Sequence, residues 1–417
     1  MKKSIIAIFV ALTCVIAAGV GVVLMTACSD DSAKQPAAAE PEPVINPLTG
    51  ATVDQGFDES ALTRRVVAFV VENTPDARPQ WGMDDPEYSP DIILEGEVEG
   101  GITRTLWLYA DMNKLPKQIG PMRSARPPFI RFSEFWDAIF IHWGQSHSKG
   151  EYVGANEVFK TDIVDHINQM HFEDKSGMYG RDRSRGVSSE HTGVVYGAKV
   201  PAAIDEYGCR KKPKEYTKLE FNEKVEPMSD KRADEVSVNF SKRTDWETTK
   251  WTYDSEDGLY HTDAFKNNLT RENLLILYDD TEYITKENYE GPGGASSVTY
   301  CDYALGGGKG KLISDGTVKD ITWKKKNGKL VLIDTAATEA EQAKVDAENE
   351  GKDPEDQVKA KPVIAKLNPG KTWIGWISNN NGGTLDIVAN EPEETGSDEG
   401  GDSGDSSESG DSSESDE

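Results

Sequence analysis

Basic side chains are scarce in this chain. Its 417 residues include 46 Lys and Arg against 73 Asp and Glu, which gives a formal net charge of −27 at pH 7. Twelve acidic residues follow Asn390, so the rest of the chain still carries −15. Because an acidic surface repels polyanions, we expect no nucleic acid among the partners of this protein and no docking on anionic lipid surfaces.

Histidine and cysteine are also rare, with six and four residues. The pairs His142/His147 and His166/His171 are each five residues apart, a spacing that places the two side chains on different faces of a helix or a strand. The sequence contains no C-x-x-C, H-E-x-x-H or G-x-S-x-G motif and no complete Walker loop. We therefore expect no metal site and no cofactor. Enzymatic activity stays uncertain, and a non-enzymatic role is favoured.

Acidic residues are missing from the first 28 positions, where Lys2 and Lys3 precede an apolar run from Ile5 to Met25. The small residue Ala27 then stands directly before Cys28. This pattern predicts a lipoprotein signal peptide over residues 1–28, cleaved before Cys28, whose thiol is acylated with palmitate. An uncleaved membrane anchor is the alternative, since the run is about as long as a bilayer span. Both interpretations place the rest of the chain outside a bacterial plasma membrane.

Two further stretches contain too few apolar residues to bury a core. Residues 29–45 are small, polar and rich in proline, which predicts a flexible tether. Residues 391–417 contain acidic side chains but no basic or aromatic ones, which predicts a disordered acidic tail. This tail could bind a cation or a basic partner, but its composition favours a solvating role.

The body of the chain divides by pattern into two parts. Residues 46–212 alternate strands with short helices, including buried strands at 64–73 and 138–144 and a hairpin at 91–111. Residues 213–390 are mainly β, with a polar, Ala- and Glu-rich surface helix inserted at 336–362. Cys209 and Cys301 could pair outside the cytoplasm, and the sequence leaves this open.

Several motifs in this body carry a family resemblance. In the first part they are "NPLTG", "VEGGITR", "IGPMRSARP" and "DAIFIHWGQS"; in the second part they are "GGGKGKLISDG", "ITWKKKNGKLVLID" and "LNPGKTWIGWI". With these motifs in this order, the chain resembles the YerB-like bacterial lipoprotein family, a domain family of unknown function, from about Asn46 to Val388. It departs from the family where Glu190-His191-Thr192 replaces a common Pro-His-Asn, which puts any role of that loop in doubt.

The resemblance implies an α+β fold. The N-terminal part would be mixed α/β and the C-terminal part mainly β, with the two packed closely together as layered sheets. It also implies an envelope location and no established activity.

Arg123 and Arg126 are the leading candidates for a binding site. They lie in a stretch framed by prolines, and guanidinium groups match carboxylate and phosphate in two-pronged contacts. We expect both arginines to line an anion-binding pocket with Arg104 and His142 nearby. The alternative is internal, with the arginines neutralising the Glu95/Glu97/Glu99 face or Asp137.

Glu95, Glu97 and Glu99 alternate along one predicted strand, so their side chains should share a face. A two-residue turn at Gly100-Gly101 would set Glu97 opposite Arg104. The simpler interpretation is a cross-strand ion pair. The alternative is a carboxylate cluster with one raised pKa, in which Glu97 or Glu99 serves acid–base chemistry beside the arginines.

The sequence therefore predicts a lipid-anchored extracytoplasmic protein, held at the membrane by its N-terminal lipid. We expect a binding or regulatory factor at the cell envelope, whose partner is a cell-wall component or another envelope protein. The alternative is a hydrolase or transferase that acts on cell-wall polymer.

Deleting residues 391–417 should leave the melting temperature nearly unchanged, because the tail has no apolar cluster to bury. Differential scanning calorimetry of the full and shortened chains measures this, with an uncharged Gly/Ser tail of equal length as the control. A fall of many degrees would show that the tail docks on the body.

Overall fold

The computed structural model of the chain describes residues 44–53, 65–161, 163–171, 173–244, 248–287 and 296–390. The predicted signal peptide, Cys28, nearly all of the tether and the acidic tail lie outside the described residues. Among the helices of the described residues, none combines the length and the apolar character that crossing a membrane requires.

The strands follow one another in chain order, with short helices mostly in the first half. The strands are β1 Val67–Glu72, β2 Ile92–Glu97, β3 Thr103–Tyr109, β4 Ile139–His142, β5 His166–Asn168, β6 Tyr179–Arg181, β7 Gly193–Val195, β8 Glu220–Phe221, β9 Glu235–Asn239, β10 Thr249–Asp254, β11 Leu259–Thr262, β12 Leu269–Arg271, β13 Asn273–Asp279, β14 Thr281–Glu287, β15 Ser297–Tyr303, β16 Gly308–Ser314, β17 Thr317–Lys326, β18 Lys329–Asp334, β19 Lys366–Leu367, β20 Thr372–Ser378 and β21 Thr384–Val388. The α-helices are α1 Pro127–Ser133, α2 Ala155–Val158, α3 Val200–Tyr207 and α4 Thr335–Asn349.

A ten-stranded mixed sheet joins the two halves of the chain. Its strand order is β18-β17-β16-β13-β20-β2-β3-β1-β4-β5. The two halves meet where β20 lies between β2 and β13, parallel to both. A five-stranded sheet, in the order β12-β11-β10-β9-β21, and three two-stranded sheets complete the fold. The α+β class is as expected, with the second half mostly β.

Strand β20 shows why this sheet is buried on both faces. All seven of its residues are buried, and Trp373 and Trp376, three positions apart, point to opposite faces. Trp376 stacks on Tyr303 with ring centroids 3.8 Å apart, and Trp373 packs on Trp251 of the smaller sheet at 5.5 Å. Truncating either side chain to alanine costs about 3–5 kcal/mol, as is typical of buried tryptophan.

The hairpin of β2 and β3 forms as predicted, but its register differs by one residue. Glu97 pairs with Thr103, and Arg104 pairs with Gly96, so the expected pairing of Glu97 with Arg104 is wrong. The cause is the loop, which has three residues instead of two, since the Val98 amide donates to the Ile102 carbonyl at 2.9 Å. A slip of one residue changes every cross-strand partner.

The helices agree with the proline and composition signals. Helix α1 begins at Pro127, where the fixed φ of proline suits the first helical position. Helix α4 covers the first half of the polar insertion, which follows β18.

The two cysteines, whose pairing the sequence left open, are both free and buried. Cys209 lies in the hydrophobic cluster on one face of the ten-stranded sheet and Cys301 in the cluster on the other face. The two cysteines therefore form no disulfide with each other, although an extracytoplasmic location would allow one.

Candidate functional site

The segment that carries the two candidate arginines lies between β1 and the residues that follow β4. The Arg123 amide donates to the Val70 carbonyl (2.9 Å), and the Trp143 amide donates to the Arg123 carbonyl (3.0 Å). One step further, the Ala125 amide donates to the Gly144 carbonyl (3.0 Å). The segment is therefore extended and fixed from both sides. Side chains three apart on extended backbone point to opposite sides, which separates Arg123 from Arg126.

Arg126 points inward and forms a two-pronged ion pair with Glu99. Its Nε donates to Glu99 Oε2 at 2.7 Å, and its Nη2 contacts Oε1 of the same carboxylate. Arg104 donates to Glu99 Oε1 at 3.1 Å and to the Ser124 carbonyl at 2.9 Å. Arg126 also lies 5.4 Å from the centre of the Tyr300 ring. Arg104 and Arg126 are both buried, and the side chain of Glu99, their shared partner, is 18% exposed.

The charges of this triad compensate one another. Burial acts to raise the pKa of Glu99, but Arg104 and Arg126 outweigh it and hold the pKa well below its usual range. Burial lowers the pKa of Arg104 to about 10, although Glu99 opposes the shift. All three groups are therefore ionised at neutral pH.

Glu95 and Glu97 have partners of their own. Glu95 accepts hydrogen bonds from Asn73 and Thr103, both at 2.9 Å. Glu97 accepts one from the Tyr283 hydroxyl at 2.7 Å, and burial raises its pKa. The raised pKa arises inside the protein, where Glu97 is 1% exposed, so substrate has no direct access to this carboxylate.

His142 ends strand β4, as predicted, but it is fully buried. Its Nδ1 lies 2.6 Å from the Gly144 carbonyl and its Nε2 lies 3.0 Å from Nδ1 of His166. The ring also stacks on Phe159, with centroids 5.1 Å apart. These contacts give His142 a structural role in packing β4 against β5.

Arg123 faces a cavity of about 410 Å³, which we call the arginine cavity. The motif residues Met122 to Ser124 and Trp143 to Gln145 form one part of its wall, and β5, β6 and the segment before β7 form the rest. The residues on which its chemistry depends are Arg123, Trp143, Gln145, Asn168, Arg181 and Glu190. Arg104, Arg126, His142, Glu97 and Glu99 do not line this cavity.

Carboxylates hold the first arginine of the cavity in place. Arg123 Nη2 lies 2.9 Å from the buried Glu72 and 3.1 Å from Glu190, whose side chain is 49% exposed. The second arginine, Arg181, lies over the Trp143 ring, with its guanidinium carbon 4.5 Å from the ring centre. Both guanidinium groups are thus oriented before any ligand binds.

Several polar atoms at the cavity wall are buried but have no hydrogen-bond partner within the described part of the chain. They are Nδ2 of Asn168, Oε1 of Gln145 and Nε of Arg123. Asn168 is only 1% exposed, and its Oδ1 already accepts from the Gly144 amide at 2.9 Å. Leaving a buried amide donor unpaired costs about 1–3 kcal/mol, so this wall is suited to a polar ligand.

His191 is a neighbour of the cavity that the sequence did not single out as a site residue. Its Nδ1 lies 2.8 Å from Oε2 of Glu72, the carboxylate that also holds Arg123. A carboxylate in this position fixes the orientation of the imidazole ring. The sequence signal that could have identified His191 is the departure from the family pattern at Glu190-His191-Thr192, because it marks the loop beside Arg123.

One group in the described residues could hold a metal ion, although none was expected. Asp254, Asp257 and His261 lie on the exposed hairpin of β10 and β11, with their ligand atoms within 4.8 Å of one another. His261 Nε2 already lies 2.8 Å from Asp257. Exposed acidic groups are common without a metal, and nothing further at this hairpin points to one.

The fold defines an α+β protein in which two sequence halves share one mixed sheet, with the arginine cavity at the edge of that sheet. Family models described as "Protein of unknown function (DUF3048) N-terminal domain" and "Protein of unknown function (DUF3048) C-terminal domain" match residues 48–210 and 236–344. The chain belongs to this family, as the sequence motifs predicted.

A curated relative and a solved structure support this. The chain is 29% identical over 300 residues to a protein of Bacillus subtilis (strain 168) named "Putative lipoprotein YerB". The aligned region covers 69% of this chain and 80% of that protein. The crystal structure of YerB from Bacillus subtilis matches with a TM-score of 0.59 at 24% identity, over 82% of this chain and 99% of that one. The structural match shows a shared fold.

Replacing Arg126 with alanine should lower the free energy of unfolding by about 1.5–3 kcal/mol, because it removes the two-pronged partner of Glu99 and leaves that carboxylate with Arg104 alone. Urea denaturation measures the change. The matched control is Lys160→Ala, which breaks the exposed ion pair with Glu157 and should cost at most about 1 kcal/mol. Equal urea midpoints for Arg126→Ala and the unaltered protein would contradict the internal role.

Proposed function

We propose that this protein is a lipid-anchored binding factor at the bacterial cell envelope. The arginine cavity takes an anionic group of a cell-wall component or of an envelope protein. The observation that carries this proposal is the wall of the cavity, where Nδ2 of Asn168 and Nε of Arg123 are buried and have no hydrogen-bond partner among the described residues, beside two oriented guanidinium groups.

Glu190 indicates how the anion enters. Burial acts to raise the pKa of Glu190, but Arg123 outweighs this effect and lowers the pKa below its usual value. The carboxylate is therefore ionised at neutral pH. Half-exposed on its loop, it contacts Nη2 of Arg123, the same nitrogen that Glu72 holds from inside. A ligand carboxylate or phosphate replaces Glu190, and Glu72 keeps Arg123 in position. Charge-assisted contacts of this kind are about twice as strong as neutral hydrogen bonds.

The anchor is supported by the sequence before the cavity and by the name of the relative. Ala27-Cys28 has the form of a lipoprotein cleavage site, and the related Bacillus subtilis protein is named a lipoprotein. Fifteen residues lie between Cys28 and Val44. For the flexible tether that their composition predicts, this length would give a root-mean-square span of about 21 Å, which would keep the cavity close to the membrane.

A hydrolase or transferase of cell-wall polymer is the second candidate, and one observation favours it. Glu72 and His191 form a buried carboxylate–imidazole pair at 2.8 Å beside Arg123, the arrangement that orients a histidine for acid–base catalysis. The residues first expected to carry this chemistry, Glu97, Glu99 and His142, lie apart with partners of their own. His191 would act in their place.

Anion binding to the full-length protein in detergent, measured by isothermal titration calorimetry with inorganic phosphate, tests the proposed site. Arg123→Lys removes the planar fork, and Asn168→Asp keeps the Oδ1 acceptor but replaces the free donor with a carboxylate oxygen. Each change should weaken binding about tenfold or more. Glu190→Gln should tighten binding, because it removes the charge that competes for Arg123.

Arg183→Lys serves as the control, since Arg183 is exposed and does not line the cavity. Phosphate binding that survives both Arg123→Lys and Asn168→Asp at full strength would contradict the proposed site.

Mass spectrometry of the membrane-extracted protein should show an N-terminus at Cys28 that carries lipid. Cys28→Ser should shift the protein into the soluble envelope fraction or block its processing, because the thiol is the atom that is acylated. Cys209→Ser is the control and should leave the protein in the membrane, since Cys209 is buried in the body. An intact Met1 end on the membrane form would show an uncleaved anchor helix instead.

A further inference from the structure

A second cavity, of about 610 Å³, lies where strands β2, β13 and β20 begin and β3 ends. Residues of the "NPLTG" motif form part of its wall and are fixed to the sheet. Asn46 Nδ2 donates to Asp91 Oδ1 at 3.1 Å, and the Gly370 amide donates to the Thr49 carbonyl at 2.8 Å. Its volume is in the range of about 300–1,000 Å³ in which proteins hold small molecules.

Carboxylates outnumber cations at this cavity, which we call the carboxylate cavity. The charged lining residues are Glu87, Asp91, Asp111, Glu272, Lys114 and Lys371. Lys371 is partly satisfied, because its Nζ donates to the Ser89 hydroxyl at 2.8 Å, and burial lowers its pKa. The lining therefore has an excess of negative charge that attracts a cationic group.

Tyr109 supplies an observation that is independent of this charge. The residue lines the cavity and is 2% exposed, yet its hydroxyl has no hydrogen-bond partner in the ranges that the structure describes. Burial raises its pKa well above the usual value, so the hydroxyl keeps its proton at any physiological pH. A buried hydroxyl without a partner is costly, and a ligand hydroxyl or amine would satisfy it.

We propose that the carboxylate cavity binds a hydroxylated ligand that carries a primary ammonium group, with amino sugars as the chemical class. The acidic lining receives the ammonium group, and the hydroxyls of Tyr109, Thr49 and Ser89 pair with the hydroxyls of the sugar. An ammonium group has three donors and no acceptor, which suits a wall rich in carboxylate oxygens. The cavity shares no lining residue with the arginine cavity, so this proposal stands apart from the proposed function.

Isothermal titration calorimetry of the full-length protein in detergent tests this, with glucosamine as the probe. In N-acetylglucosamine a neutral and bulkier acetamide replaces the ammonium group, so the comparison tests whether the ammonium group is required. Tyr109→Phe removes the free hydroxyl, and Glu87→Gln removes one charge from an exposed position where folding is not at risk. Glu151→Gln, at an exposed carboxylate outside the cavity, is the matched control.

The expected result is saturable binding of glucosamine, with little or none for N-acetylglucosamine. Glu87→Gln and Tyr109→Phe should each weaken it about tenfold, whereas Glu151→Gln and Arg123→Lys should leave it unchanged. The proposal is overturned if glucosamine shows no saturable binding, if N-acetylglucosamine or calcium chloride binds equally well, or if Glu87→Gln binds like the unaltered protein. Circular dichroism of Tyr109→Phe separates lost binding from lost folding.

Discussion

The ion pair between Arg126 and Glu99 is the interaction on which the arginine cavity depends. Glu99 lies in the turn of the first hairpin, and Arg126 stands directly before helix α1, so the pair joins these two elements inside the protein. Since the backbone between Arg123 and Arg126 is extended, an inward Arg126 obliges Arg123 to point outward. One arginine thereby stabilises the fold, and the other faces the arginine cavity.

The need to compensate the charge of carboxylates explains how the other arginines and His191 are placed. Glu99 takes Arg104 and Arg126, whereas Glu72 takes Arg123 and His191. A buried carboxylate without such partners would be protonated or would destabilise the fold by several kcal/mol. Glu99, one of the carboxylates that first suggested acid–base chemistry, is therefore the reason why Arg104 and Arg126 are unavailable to a ligand. Arg123 is the exception, because its second partner, Glu190, belongs to an exposed loop.

Sequence patterns predicted the elements better than they predicted the contacts. Apolar runs located β1, β4 and β20, and proline located the start of α1, because these signals are local. The register of the first hairpin could not be predicted from the sequence. Gly100-Gly101 fits a two-residue loop and a three-residue loop alike, because the two differ only in which backbone amide donates to which carbonyl. The sequence analysis missed Asn168 and Arg181 because their short strands have no hydrophobic period. These residues come close to Arg123 only in the folded chain.

The net charge of the protein constrains how an anion could reach the arginine cavity. A chain with a formal charge of −27 repels anions at long range, and salt screens such interactions beyond about 8 Å at physiological ionic strength. Under the proposed function, capture at Arg123 and Arg181 would therefore rely on direct contact instead of electrostatic steering, which slows association. The proposed lipid anchor would offset this, because tethering raises the effective concentration of the cavity near membrane-bound partners to the millimolar range. The acidic surface would then disfavour the approach of free anions, and the proposed anchor would favour anions presented at the membrane.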